Sequence, residues 1–274
     1  MFFPDMGFLL NFPQNETAVR IGCFSAIFIS VAVAELLVPR RPLIVKKSLR
    51  WFDNGSIHLL NSLLPRLLLP IFPIGMAILL TQKGWGLLNN ATFPVAAAVV
   101  LSVLSLDLVI YAQHWLFHRV AFLWRLHRMH HTDLDLDLTS ALRFHPLEIL
   151  ISLLIKMAVV AILGPPAVAV FIFDIFLNGM AMFNHGNFKI PNRVDNFLRG
   201  IVVTPDMHLV HHSILRPESN HNFGFNISWW DRIFGTYQAE PAAGRQGMII
   251  GLKGYQDVRY ARFWQMIINP FEKR

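Results

Sequence analysis

The stretch DLVIYAQHWLFHRVAFLWRLHRMHHTDLDLDLTSALRFHPLE, residues 107–148, holds six of the chain's twelve histidines. His114 and His118 stand four residues apart, and His127, His130 and His131 follow the spacing i, i+3, i+4. On a helix such residues share a face, with Cβ atoms roughly 5–6 Å apart, so each group can aim several imidazoles at one point. A second H-x-x-H-H follows at His208, His211 and His212, and eleven of the twelve histidines lie after residue 113. A lone histidine near a membrane surface is ordinarily a hydrogen-bonded interfacial residue, and His58 is read that way. The three grouped sets are read as metal ligands.

Composition sets where these groups sit. Hydrophobic residues make up 54% of the 274, charged ones only 15%, and there are 23 Phe and 7 Trp. Ordinary soluble domains carry roughly 25% charged residues, so the chain reads as an integral, multi-pass membrane protein. The net charge of +7 lies mostly beside apolar runs, where it serves bilayer orientation and contact with anionic headgroups. No nucleic-acid-binding module accompanies it. Cys23 is the only cysteine, which excludes a disulfide framework and thiolate zinc sites.

The expected architecture is all-α: four to five transmembrane or re-entrant helices with a cytosolic helical cap carrying a histidine-rich dimetal site. One membrane-embedded domain is expected over 1–274. Within it, 1–94 holds N-terminal transmembrane helices, 95–240 the histidine-motif core, and 241–274 a C-terminal cytosolic segment. Residues 21–38 form a first apolar run long enough to span a bilayer. Asp5 and Glu16 precede it, and Arg40, Arg41, Lys46, Lys47 and Arg50 follow it. That order suits a retained helix with its C-terminal end in the cytoplasm rather than a cleaved signal peptide. Residues 57–80 read as one helix kinked at Pro65, Pro70 and Pro73, and 95–115 as a third span that delivers His114 and His118. The runs 147–163 and 167–183, split by Gly164, Pro165 and Pro166, form a hairpin that crosses or only dips. All three histidine groups then face one side, the cytoplasmic one by the positive-inside rule. The alternating LDLDL at 134–138 is too short to imply a sheet, and 255–268 reads as amphipathic.

Imidazole suits zinc, copper, iron and nickel. Eight motif histidines with His185 and His145 suffice for two ions, whereas one tetrahedral zinc needs three or four ligands. Soluble di-iron bundles use two Glu-x-x-His motifs with two further Glu, and this chain does not have that pair of motifs. The three motifs, the NHGN at 184–187 and the WDRIFGTY at 230–237 together resemble the fatty acid hydroxylase superfamily in its sterol desaturase branch, over roughly residues 100–240. The resemblance implies an O2-dependent di-iron lipid hydroxylase, or a desaturase using the same site. The metal would be held by His114, His118, His127, His130, His131, His208, His211 and His212. His185 sits where relatives have a further ligand. His145, in RFHPLE, resembles the H-P-x-E of sterol C4-methyl oxidases and is taken as a ligand or a support for one. Asn222 matches a recurrent Asn-Phe/Tyr-Gly and is expected to support the site; His221 is expected at the surface or behind the ligands. Zinc is a possible substitute for the two irons in purified protein.

Spacing adds two carboxylates. Asp107, Tyr111, His114 and His118 follow +4, +3, +4, and so do Asp174, Asn178, Ala181 and His185. Ionisable groups at membrane depth usually face the interior and act there. Asp107 is therefore expected to orient the site directly or through water, and Asp174 through Asn178; the alternative is an ion pair with Arg66 or Lys156. A membrane lipid is the expected substrate: sterol, fatty acyl, carotenoid, alkylglycerol or sphingoid. Without a Gly-rich dinucleotide fingerprint, a CxxCH haem motif or cysteines for an iron–sulfur cluster, electrons must come from a separate reductase, ferredoxin or cytochrome. A histidine-rich metal transporter is the alternative from another class; it should carry ligands along several spans.

Overall fold

The computed structural model describes residues 12–272; Asp5 of the segment before the first apolar run lies outside them. α1 is Phe12–Leu37 and ends two residues before Pro39. The kinked helix expected over 57–80 is two helices, α2 (Lys47–Leu68) and α3 (Pro73–Gln82). Pro65 is tolerated in the last turn of α2, and Pro73 opens α3, where its missing N–H costs nothing. α4 is Val95–Arg119 and α5 is Ala121–His131; the extended Val120 between them turns the chain sharply.

α6 (Pro146–Leu163) and α7 (Ala167–His185) form the hairpin. Gly164 turns it at φ +61°, where a Cβ would lie 2.5 Å from the Trp85 carbonyl oxygen, so only glycine fits. The segments 15–37, 47–82 and 95–119, together with α6 and α7, are long and apolar enough to cross a membrane. α7 packs against α1, α3 and α4, and its Phe173 and Met182 are buried with Leu106 and Ile110 of α4. In lipid, helices associate by close packing rather than by transfer from water. Gly179 serves that end, since a Cβ there would fall 2.8 Å from the Ile27 side chain of α1.

The LDLDL segment is not a strand; among the described residues only isolated β-bridges occur. Its alternation has another cause. Arg50 is 1% exposed and is gripped by Asp133 and by Asp137 at 2.7 Å, while Asp135 accepts the amides of Ile44 and Val45 at 2.9 and 2.8 Å. Leu134, Leu136 and Leu138 enter three separate apolar clusters. The aspartates lock the start of α2 to the loop after α5. α2 therefore begins ten residues before the expected apolar run, because its first turns bury polar side chains on polar partners. The basic segment is likewise used internally. Arg40 pairs with Asp206, and Arg41 donates to the Met248 carbonyl at 2.8 Å.

After residue 185 the chain forms short helices: α8 (Asn192–Leu198), α9 (Pro205–His211), α10 (Arg216–Ser219), α11 (Trp229–Ile233), α12 (Gly244–Gly247) and α13 (Phe263–Ile268). Most of the expected amphipathic 255–268 is irregular or 3-10, and only α13 shows two faces, with Met266 buried and Trp264 73% exposed.

Candidate metal centre

Four elements converge on the centre. The last turns of α4 bring His114 and His118, α5 brings His127, His130 and His131, the end of α7 brings His185, and α9 with its C-terminal residue brings His208, His211 and His212. The side chain of Thr204 caps α9 by accepting the Met207 amide, and Pro205 opens it. Asp206 in its first turn is tied to Arg40 and Arg245.

All nine side chains are buried, and they divide into two groups. His114, His118, His127, His131 and His211 have ligating nitrogens within 4.8 Å of one another; so do those of His130, His185, His208 and His212. Each H-x-x-H-H splits the same way. Its first and third histidines share one group and its middle one crosses over: His130 leaves the group of His127 and His131, and His211 leaves that of His208 and His212. The groups abut, with the His131 and His212 rings stacked at 4.7 Å.

Hydrogen bonds fix the tautomers. His114 donates through Nδ1 to the Phe223 carbonyl (2.7 Å), His130 to Arg143 (3.1 Å), His185 to Ala181 (2.8 Å) and His211 to His221 (2.8 Å). A carbonyl only accepts, so in the neutral ring each Nε2 carries a lone pair. His127 donates through Nδ1 to Glu148 Oε1 at 2.7 Å. Yet His114 and His127 face each other Nε2 to Nε2 at 3.1 Å, and so do His130 and His185. Neither contact can then be a hydrogen bond; two lone pairs meet. The buried Nε2 atoms of His118 and His211 have no hydrogen-bond partner among the described residues. Burial, and then neighbouring imidazoles, hold His130, His131, His208 and His212 well below the usual imidazole range. Burial pushes His211 down to about 3, against the opposing pull of the His221 carbonyl. Neutral rings with inward lone pairs, repelling one another unless a cation lies between them, suit a divalent metal in each group.

The family model for fatty acid hydroxylase matches residues 99–236, half of the chain and all nine of these histidines. The chain belongs to the fatty acid hydroxylase family. It is 29% identical over 183 residues to the ornithine lipid hydroxylase OlsE of Rhizobium tropici, covering 66% of this chain and 53% of that protein. It is 28% identical over 161 residues to the alkylglycerol monooxygenase of Homo sapiens, covering 57% of this chain and 34% of that one. The chain thus spans about half the length of the first relative and a third of the second. No solved structure matches.

The other sequence candidates lie outside both groups. His145 stands outside both groups. It caps α6 through Nδ1, which accepts the Leu147 amide at 3.2 Å, and its Nε2 meets the Ile267 carbonyl at 3.2 Å. Asp107 touches no histidine. It accepts from the side chains of Asn226 (2.7 Å) and Trp230 (2.8 Å), and so ties the loop after Phe225 to α4. Asp174 takes the ion-pair alternative, with Lys156 at 2.7 Å and Arg20 at 2.9 Å; Asn178 donates to its backbone carbonyl, not its carboxylate. Asn222, at φ +56°, bonds Met207 and Gln238, which joins the 222–225 loop to α9. The side chain of His221 turns to the Pro217 carbonyl.

Two carboxylates were passed over in the sequence. Glu148 is the only carboxylate on any of the nine rings among the described residues, and the HPLE context that drew attention to His145 contains it. Asp231, in the WDRIFGTY block, accepts the amides of Phe223 (2.7 Å) and Gly224 (2.9 Å). It thereby shapes the turn that offers the Phe223 carbonyl to His114. Burial pushes its carboxyl up to about 6. A cavity of about 270 Å3 opens beside the five-histidine group, lined by His114, His127, Glu148, Phe117, Phe144 and Leu177 among others, and by none of the four-histidine group.

Proposed function

We propose that this chain is an O2-dependent hydroxylase of a membrane lipid, with one iron ion in each histidine group. The carrying observation is the pair of neutral, inward-facing imidazole groups, one of which opens onto an apolar cavity between membrane helices. His114, His118, His127, His131 and His211 hold one ion, and His130, His185, His208 and His212 the other. Two bound irons would supply O2 activation and removal of hydrogen from an unactivated C–H bond, chemistry that no side chain here provides. The protein does the rest. Phe117, Phe144, Leu177 and Phe225 wall the cavity, exclude water and hold an aliphatic segment against the five-histidine group. Glu148 keeps the proton of His127 on Nδ1, and the Phe223 carbonyl does the same for His114.

Desaturation would begin with the same removal of hydrogen; the hydroxylase and monooxygenase names of the relatives favour insertion of oxygen. A transporter would need ligands along a transmembrane path, whereas these nine gather at one end of the helices. The basic segment after α1 supports a cytoplasmic location for that end. A separate protein supplies the electrons. The test is to purify the chain in detergent, measure iron and zinc, and follow O2 uptake with a reductant and a membrane lipid extract. Two irons per chain and lipid-dependent uptake are expected. One zinc with no uptake overturns the reading.

A further inference from the structure

Asp107 stands midway along α4 (Val95–Arg119), a helix long and apolar enough to cross a membrane. At 1.5 Å per residue it lies about 18 Å along the axis from Arg119, the next Asp, Glu, Lys or Arg in the sequence. The last third of the chain reaches down to it. Trp230 donates to Asp107 Oδ2 at 2.8 Å and Asn226 to Oδ1 at 2.7 Å. One turn along α4, Phe234 stacks on Tyr111 with ring centroids 5.3 Å apart, and the hydroxyls of Tyr111 and Thr236 are hydrogen-bonded at 2.8 Å. Residues 226–236 thus lie along the second half of α4, whose exposed large side chains are Trp115 and Leu116.

The outer surface of this segment matches that depth. In water a short helix turns its polar side outward, and α11 does the reverse. It buries Asp231 and exposes Trp229 and Ile233, the latter 64% exposed, with Phe234 exposed beside them. α8 repeats the inversion, with Asp195 buried and Phe197 70% exposed. The two are joined, since the Trp229 indole donates to the Gly200 carbonyl at 2.9 Å and the Ser228 amide to Ile201 at 3.2 Å. Lipid requires N–H groups to be met within the protein. Both indoles of α11 are met, and the Phe234 amide bonds the Trp230 carbonyl at 2.9 Å. Arg193 and Arg232 are exposed on the two helices; such side chains are long enough to reach headgroups, and Arg232 also stacks on Tyr237 at 4.1 Å.

We propose that residues 226–236, with Phe197 and Ile201 beside them, form a wedge seated in the membrane leaflet on the side of the histidine groups. Its partner is lipid: Trp229, Ile233 and Phe234 rest against acyl chains and continue the lipid-facing surface of α4. If α4 instead stood clear of the bilayer, these side chains would join Trp115 and Leu116 in one apolar surface open to water, which soluble faces avoid. The expected cytosolic cap is in this part a membrane element, although no helix here is long enough to span. The inference does not depend on the reaction. It does place the support of the metal centre in lipid-contacting protein, since Asp231 of α11 shapes the turn that offers the Phe223 carbonyl to His114.

The single cysteine makes the test direct. Cys23→Ala gives a thiol-free full chain, into which Ile233→Cys and Phe197→Cys are introduced one at a time. Leu101→Cys, on the exposed face of α4, and Lys253→Cys, exposed late in the chain, are the references. Each variant is placed in phosphatidylcholine nanodiscs, where both membrane faces meet water. The thiolate is the reacting form and apolar surroundings suppress it. A membrane-impermeant maleimide is therefore expected to label Ile233→Cys, Phe197→Cys and Leu101→Cys about tenfold or more slower than Lys253→Cys, and all four equally in SDS. A nitroxide on the slow thiols should be relaxed by O2, which dissolves in lipid, and not by a water-soluble nickel chelate. Labelling of Ile233→Cys as fast as Lys253→Cys would show the second half of α4 standing in water, and overturns the proposal. So does a nitroxide that neither O2 nor nickel reaches, because protein then covers the surface. Phe197→Cys, on a separate helix, carries the same decision should Ile233→Cys fail to fold.

Discussion

The two histidine groups are built from the same motif yet differ in three ways. One has five histidines and the other four. The five-membered group draws two from the end of a membrane helix, His114 and His118, whereas the four-membered group draws only His185 from one. The first borders the apolar cavity and has a carboxylate behind one of its rings; the second is enclosed by protein, and the outer partners found for its rings are carbonyls. A repeated motif therefore does not make equivalent positions. What surrounds each group decides which one can meet a lipid.

The largest test of this contrast removes a ligand from each side. In His208→Ala the four-membered group falls to three; the variant is expected to lose one iron per chain and to lose activity by more than the roughly 10–100-fold typical of an outer partner. His118→Ala leaves four ligands in place and is expected to retain both irons after dialysis, with slower turnover. Equal iron loss in the two, measured by elemental mass spectrometry, would break the comparison. A smaller effect is expected from Glu148→Leu, which removes the carboxylate behind His127 without opening space. Activity should fall roughly 10–100-fold while the four-membered group keeps its iron; an unchanged rate removes the electronic difference between the groups. The smallest effect is expected from His145→Ala. Loss of a cap costs about 1 kcal/mol, read by denaturant unfolding, with iron content unaltered. A drop in iron there would restore His145 to the ligands.

The histidine groups were legible because i, i+3, i+4 spacing is a property of the helix itself, and the same local geometry carries His127, His130 and His131 in the structure. The helical membrane architecture was legible from apolar runs for a related reason: bilayer thickness sets their length. The partition of each triplet between two groups was not, since it depends on how α5 and α9 face one another. Nor were the acceptors behind the rings. The Nδ1 atoms of His114, His130, His185 and His211 meet backbone carbonyls, which leave no trace in residue identity. The stripes through Asp107 and Asp174 placed both carboxylates on interior faces, and of the partners they meet only Lys156 was among those named from the sequence. Periodicity fixes a face and a depth, while Trp230 and Lys156 arrive from distant parts of the chain. Arg50 shows the converse: it read as one of the basic residues following the first apolar run, and it is buried among aspartates that look like a strand.

The crossing of His130 and His211 between groups has a consequence for how the centre fills. An ion in the five-membered group fixes α5 through His127 and His131, and α9 through His211. Those helices also carry His130, His208 and His212, three of the four histidines of the other group. The first ion therefore removes most of the orientational freedom that the second must otherwise overcome, and by linkage the second stabilises the first to the same extent. Titration of metal into the empty protein should accordingly favour chains holding two ions or none over chains holding one.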